Sequence, residues 1–168
     1  YKHTIFFITG DHRMPEIPMS TKIDRYHVPL IIFSPLLTRN AVFQSISTHF
    51  DITPSLLSFL KHAYNIKVPS LASGMGTGLD TSRLFRNMHA DPLIQTKDGV
   101  SDFIQGNFLL HGAELYQIIP DMGFVPSDDK KEQSALTNSY NDFINKNNNF
   151  IKGAKLIPDS IYENYRKK

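Results

Sequence analysis

An acid and an imidazole stand side by side at Asp11 and His12, where an apolar run gives way to a polar loop in the stretch "FFITGDHR". A carboxylate oxygen and a neutral imidazole nitrogen are donor types that Zn²⁺ and Mn²⁺ prefer. Adjacent residues within a strand point to opposite faces, but at a strand-to-loop turn both side chains can converge on one point. Gly10 favours such a site because it lets backbone or ligand approach closely. Two donors do not complete a centre: a catalytic zinc takes about three protein ligands plus water, so at least one more must come from elsewhere. Read alone, the dipeptide also describes a loop acid beside a surface imidazole, the commoner role of such a pair. Arg13 follows directly. It is suited to bidentate contact with a phosphate or sulfate, and equally to life as a solvated loop charge. His27, in "RYHVP", either approaches the same site or is a structural imidazole at the start of the next strand.

These residues need strands to position them. Residues 4–8 are β-branched and aromatic without alternation, the pattern of a strand covered on both faces. Residues 29–34, "PLIIFS", repeat it and stop at Pro35. Two continuous apolar strands flanking a polar loop predict a parallel, helix-covered sheet, and in open α/β sheets sites collect beyond the carboxyl ends of the strands. The loop, residues 10–28, carries Asp11, His12, Arg13, Glu16, Lys22, Asp24, Arg25 and His27. In "STHFDITPSLLSFLKHAY" a helix is predicted, capped by Asp51 or Thr53 and with Pro54 in its first turn. Leu56, Leu57, Phe59, Leu60 and Ala63 form its buried face, and Lys61 and His62 suit its negative end.

Gly74, Gly76 and Gly78 in "GMGTGLDTSR" lack the preceding strand and the spacing of a dinucleotide fingerprint, so residues 65–91 read as an irregular, flexible connection. From Pro92 the pattern changes to short runs at 92–95, 100–105, 107–110 and 114–119. Asp98-Gly99, Gly106 and Gly112 punctuate them, which predicts a small antiparallel meander. A polar helix from Asp128 or Asp129 to about Asn148 follows, with Leu136, Tyr140, Phe143 and Ile144 on one buried stripe, and then a frayed tail.

Composition sets the outer limits. The 168 residues suffice for one ordinary domain or half of a larger one, and an apolar fraction of 40% suits a packed core. The net charge of +2 is too balanced to imply nucleic acid or an anionic membrane as partner. The chain has no cysteine, which removes disulfides, thiolate catalysis and Cys-type zinc sites. No stretch approaches the ~20 apolar residues that cross a bilayer. The chain opens inside a strand, which points to a piece of something longer.

Three blocks together carry a resemblance: "TGDH" closing an apolar strand, "YHVPLIIFSP", and "STHFDITPSLLSFL". Their order and spacing resemble the sulfatase-like branch of the alkaline phosphatase superfamily, most closely the C-terminal part of the lipoteichoic acid synthase/phosphoglycerol transferase group. The resemblance is specific over residues 4–60, continues through "GTGLDTSR" and the meander to about residue 118, and fades beyond. It implies that residues 1–90 are the C-terminal part of an α/β/α catalytic sandwich; with the patterning above, 91–168 are then a small antiparallel sheet subdomain with a terminal helix. It implies that Asp11 and His12 are metal ligands for Mn²⁺ or Zn²⁺ (Ca²⁺ in a true sulfatase); Arg13 and His27 are the candidates for substrate contact on their own chemistry and position, not through the resemblance. The family's Thr or Ser nucleophile and its first metal-binding acid lie on earlier strands, and no Ser or Thr here sits in the matching context. This segment therefore holds no catalytic nucleophile and is expected to be inactive alone.

The implied parent enzyme transfers or hydrolyses phospho-alcohol esters through a covalent intermediate. Its substrate is a phospholipid or glycan ester at the extracytoplasmic face of a bacterial inner membrane, and its only membrane anchor is N-terminal spans outside this sequence. The sequence departs from the family where Arg13 replaces the glycine that follows Asp-His or Asp-Asn in many sulfatases. That mildly favours the transferase over the alternative of a sulfatase that hydrolyses sulfate esters. A third reading makes the region from Pro92 a non-catalytic module for glycan or lipid headgroup. His49 reads as structural, and His3, His62, His89 and His111 receive no role. Half of a doubly wound sheet leaves a bare strand edge and an uncovered face, so self-association is expected.

Overall fold

A computed structural model describes the chain apart from residues 15, 19, 20, 22, 70–73, 97, 98, 156 and 168. Lys22, the Asp98 turn position and the last residue of the tail, Lys168, thus lie outside the described residues. The architecture is mixed α/β, with a two-stranded ribbon, a five-stranded antiparallel sheet and three α-helices among the described residues. None of the described helices is long and apolar enough to cross a membrane.

The first two apolar runs form β1 (Phe6–Thr9) and β2 (Leu30–Phe33), with Phe6 opposite Phe33 and Thr9 opposite Leu30. They pair antiparallel, not parallel as the unalternating runs predict. An apolar run reports burial and carries no information on direction. Between the strands the described chain has only one 3₁₀ turn, Ile23–Tyr26, and no crossover α-helix to return it to the start of a parallel strand. Nor are both faces covered within this chain: Ile8 is 55% exposed and its cross-strand partner Ile31 is 54% exposed.

Helix α1 (Ile52–Tyr64) follows a 3₁₀ turn, His49–Asp51. The Thr48 amide and hydroxyl both donate to Asp51 Oδ2, at 2.7 and 2.9 Å. Asp51 therefore secures the turn before the helix and does not cap α1 with its side chain. Leu56, Leu57 and Leu60 are half-buried, whereas Phe59 and Ala63 are exposed, a narrower buried face than the periodicity predicts.

Strands β3 (Ala90–Thr96), β4 (Gly99–Gln105), β5 (Phe108–His111), β6 (Glu114–Ile119) and β7 (Gly123–Pro126) form a sequential meander. Gly106 sits at the first turn position between β4 and β5 with φ 53°, a conformation that a side chain would strain. Strand β7 escapes sequence reading because Pro120, Gly123 and Pro126 interrupt its pattern. The chain reverses before it through Asp121 and Met122, both left-handed at φ 58° and 59°. Helix α2 (Lys130–Ile151) starts where Asp129 accepts from the amides of Lys131 and Glu132. A short helix, α3 (Asp159–Arg166), replaces the frayed tail that the sequence predicts.

Period-two alternation gives the meander two apolar faces. On one, Phe103, Leu110 and Leu115 enclose Leu136 of α2, with Tyr140 and Phe143 beside them. On the other, Ile104, Leu109 and Ile118 bury Ile23, and Ile46 and Phe85 pack against this cluster. Ile23 belongs to the loop that follows β1, and its burial holds the far end of that loop on the sheet with about 1.5–3 kcal/mol.

Candidate functional site

The end of β1 brings the two predicted donors together. His12 Nε2 stands 3.5 Å from Asp11 Oδ2, and both side chains are open to solvent. Each partner's other polar atom is engaged locally. The His12 amide donates to Asp11 Oδ1 at 2.9 Å, and His12 Nδ1 lies 2.6 Å from the Arg13 carbonyl oxygen. A carbonyl can only accept, so Nδ1 carries a hydrogen, and in the neutral ring the lone pair is then on Nε2. Two ligand atoms each about 2.1 Å from a tetrahedral Zn²⁺ lie about 3.4 Å apart. The donor chemistry, the tautomer and the separation all fit a shared cation. Among the described residues no third His, Asp or Glu completes a metal-holding group, so these two would supply only part of the coordination.

Gly10 is closely packed: a Cβ there would lie 3.3 Å from both the His12 carbonyl oxygen and Val28 Cγ1, so a side chain would make these neighbours give way by a few tenths of an ångström. Arg13 turns inward on its own loop, where Nη1 donates to the carbonyls of Met14 and Ile17, each at 3.2 Å. That contact shapes the loop. His27 is exposed just after the 3₁₀ turn, and its amide donates to Asp24 O at 3.2 Å.

His49, read as structural, and His89 and His111, which the sequence left without a role, take defined places. His49 Nε2–H donates to the Gly10 carbonyl at 2.8 Å and lies 3.4 Å from Thr9 Oγ1, so it meets the backbone directly before Asp11. His89 is buried, with Nε2 3.1 Å from Ile46 O and 3.5 Å from Asp51 Oδ2. His111 Nδ1 bonds Asp102, its cross-strand partner on β4, and Asp102 also accepts from the Tyr26 hydroxyl at 2.6 Å. The last contact pins the end of the site loop. The spacing of Asp102 and His111 around the Gly106-Asn107 turn was the signal for it: a two-residue hairpin there places them opposite each other.

Asp51 is the buried junction behind the site. Its Oδ1 accepts from the amides of Thr77 and Gly78, each at 3.0 Å, while its Oδ2 serves Thr48. Burial alone would raise this carboxyl, but the Thr48 and Gly78 amides and the Thr48 hydroxyl outweigh it and hold it below the usual range. Asp91 has the opposite balance: burial, with the Asp51 charge adding to it, raises its carboxyl against the pull of His89. The glycine segment that reads as a flexible connection is packed at this junction. A Cβ on Gly76 would fall 2.0 Å from the Phe50 carbonyl oxygen, so only glycine admits this approach.

Desolvation raises the Tyr26 hydroxyl well above the ordinary phenol range, and the bond to Asp102 adds to the shift. Asp80 is held below the usual carboxylate range by Arg86, which donates from Nε at 2.7 Å and Nη2 at 2.8 Å and so braces the segment after the glycines. No protein-family model, no curated protein and no solved structure matches this chain.

Proposed function

We propose that this chain supplies part of a divalent-cation centre in a phosphotransferase or hydrolase of phospho-alcohol esters of the phosphoglycerol type. Asp11 and His12 are its ligands, and the α/β unit is the C-terminal part of an alkaline-phosphatase-type sandwich. The observation that carries the reading is the convergence of Asp11 Oδ2 and His12 Nε2 at 3.5 Å with the remaining donor atoms tied to backbone. The order of "TGDH", "YHVPLIIFSP" and "STHFDITPSLLSFL" supports it independently. A bound Mn²⁺ or Zn²⁺ supplies charge neutralisation at a phosphoryl oxygen and a lowered pKa for a coordinated hydroxyl. The protein's own part is to present a neutral imidazole in the Nε2-basic tautomer and to hold the carboxylate beside it through the His12 amide. Further ligands and the nucleophile come from outside these residues. The envelope substrate and the extracytoplasmic placement follow from the same resemblance.

Calorimetric titration of the chain with Mn²⁺, with backbone NMR to locate the ion, tests this. One Mn²⁺ that broadens the Asp11 and His12 amides first, with affinity at least tenfold weaker in Asp11→Asn, is the expected result. Equal affinity in the variant, or broadening centred elsewhere, overturns the proposal.

A further inference from the structure

Nothing in the ligand pair itself explains why the strand end stays in register with the loop. Gly10 is half-buried just past the end of β1 and, as a glycine, costs more backbone entropy to order than any other residue. Its carbonyl is the last acceptor before Asp11, and it is held from the side. His49 Nε2 donates to it at 2.8 Å from 39 positions away, and the Thr9 hydroxyl donates at 3.2 Å. His49 is itself placed by a rigid support. It opens the 3₁₀ turn His49–Asp51, which Thr48 and the buried Asp51 close. Asp51 is locked in turn by Thr77, Gly78 and His89.

We infer that His49 is the positioning residue of the Asp11–His12 site. Its Nε2–H fixes the Gly10 peptide, and through it the direction from which both ligands leave the chain. The inference rests on the cation reading for its functional meaning, but the mechanical link exists without a cation. His49 touches neither the proposed cation nor a substrate and acts only through the backbone before the ligands. Outer partners of metal ligands typically contribute 10–100-fold in affinity, which sets the size of the effect.

The test uses three variants of the whole chain. His49→Ala removes the donor, His49→Leu removes it while keeping bulk, and His49→Gln restores an N–H at the reach of Nε2. In metal-free protein, backbone ¹⁵N order parameters at Asp11 and His12 should fall from about 0.85 towards 0.6 in the Ala and Leu variants, with α1 unchanged. They should return to the wild-type value in His49→Gln. Mn²⁺ affinity should weaken at least tenfold in Ala and Leu and recover to within about threefold in Gln. Order parameters and affinity both unchanged in a folded Leu variant overturn the inference, as does a folded Gln variant that behaves like Leu. Wild-type protein that binds no Mn²⁺ at Asp11 and His12 removes the proposed function. In that case the order parameters alone decide whether His49 positions the turn.

Discussion

Replacing Asp51 by Asn tests whether the junction behind the site is held by a charge. Asp51 is fully buried, and its two oxygens accept four hydrogen bonds, from Thr77 N and Gly78 N on Oδ1 and from Thr48 N and Thr48 Oγ1 on Oδ2. An asparagine keeps one oxygen for one pair and turns an NH₂ group towards the donors of the other. Two charge-assisted bonds at about 1.5–3 kcal/mol each are then lost, and the Thr48 hydroxyl recovers a little by rotating to another acceptor. The expected cost is about 3–5 kcal/mol. At about 2–4 °C per kcal/mol for a chain of this size, the melting temperature falls by roughly 6–20 °C.

Urea unfolding followed by circular dichroism measures the loss of Asp51 directly, and the pH dependence supplies a second check. The folded carboxyl lies below its usual range, so its stabilisation is present above the unfolded value of about 4. It is lost as pH falls through the folded value. The gap between wild type and Asp51→Asn should therefore close in acid. A loss under about 1 kcal/mol at pH 7, or a gap that widens below pH 4, would refute the charge-based account.

Asp91→Asn should act the other way. Burial raises the Asp91 carboxyl, so wild-type stability falls as pH rises from about 4 through the raised value, and the variant should show a higher urea midpoint at pH 7. Tyr26→Phe should cost about 1–2 kcal/mol through the lost bond to Asp102. Because the folded hydroxyl titrates above its unfolded value near 10, wild type should lose this advantage as pH rises beyond about 10, and urea midpoints from pH 8 to 11 would show the two curves converge. The chain should self-associate through its ribbon, and Ile8→Lys with Ile31→Lys, a cross-strand pair more than half exposed, should leave it monomeric by sedimentation velocity.

Local chemistry was readable wherever residues act on near neighbours. Asp11 and His12 converge because both leave the same turn, and the stripe Leu136, Tyr140 and Phe143 meets the sheet because its spacing is that of a helix. The meander followed from its glycines. What escaped depends on contacts distant in sequence or on direction. The antiparallel sense of β1 and β2 is invisible in a run such as "PLIIFS", which looks the same whichever way it is paired. The bonds from His49 to Gly10 and from His89 to the Asp51 region join residues dozens of positions apart, and no local pattern marks them. Gly76 looked like slack chain because a glycine that gives freedom and one that gives room are the same letter.

The antiparallel pairing of β1 with β2 places Thr9 and Leu30 shoulder to shoulder, so the intervening stretch leaves and rejoins the scaffold at almost one point. Met14 and residues 16–18, between the Asp11–His12 pair and the Ile23 anchor in the chain, are exposed. Lengthening a loop whose ends are already joined is thermodynamically cheap, about 0.6 kcal/mol for each doubling. Chain length and side-chain identity there can thus drift, or be engineered, at little cost to the strand pairing that sets where Asp11 and His12 leave the ribbon.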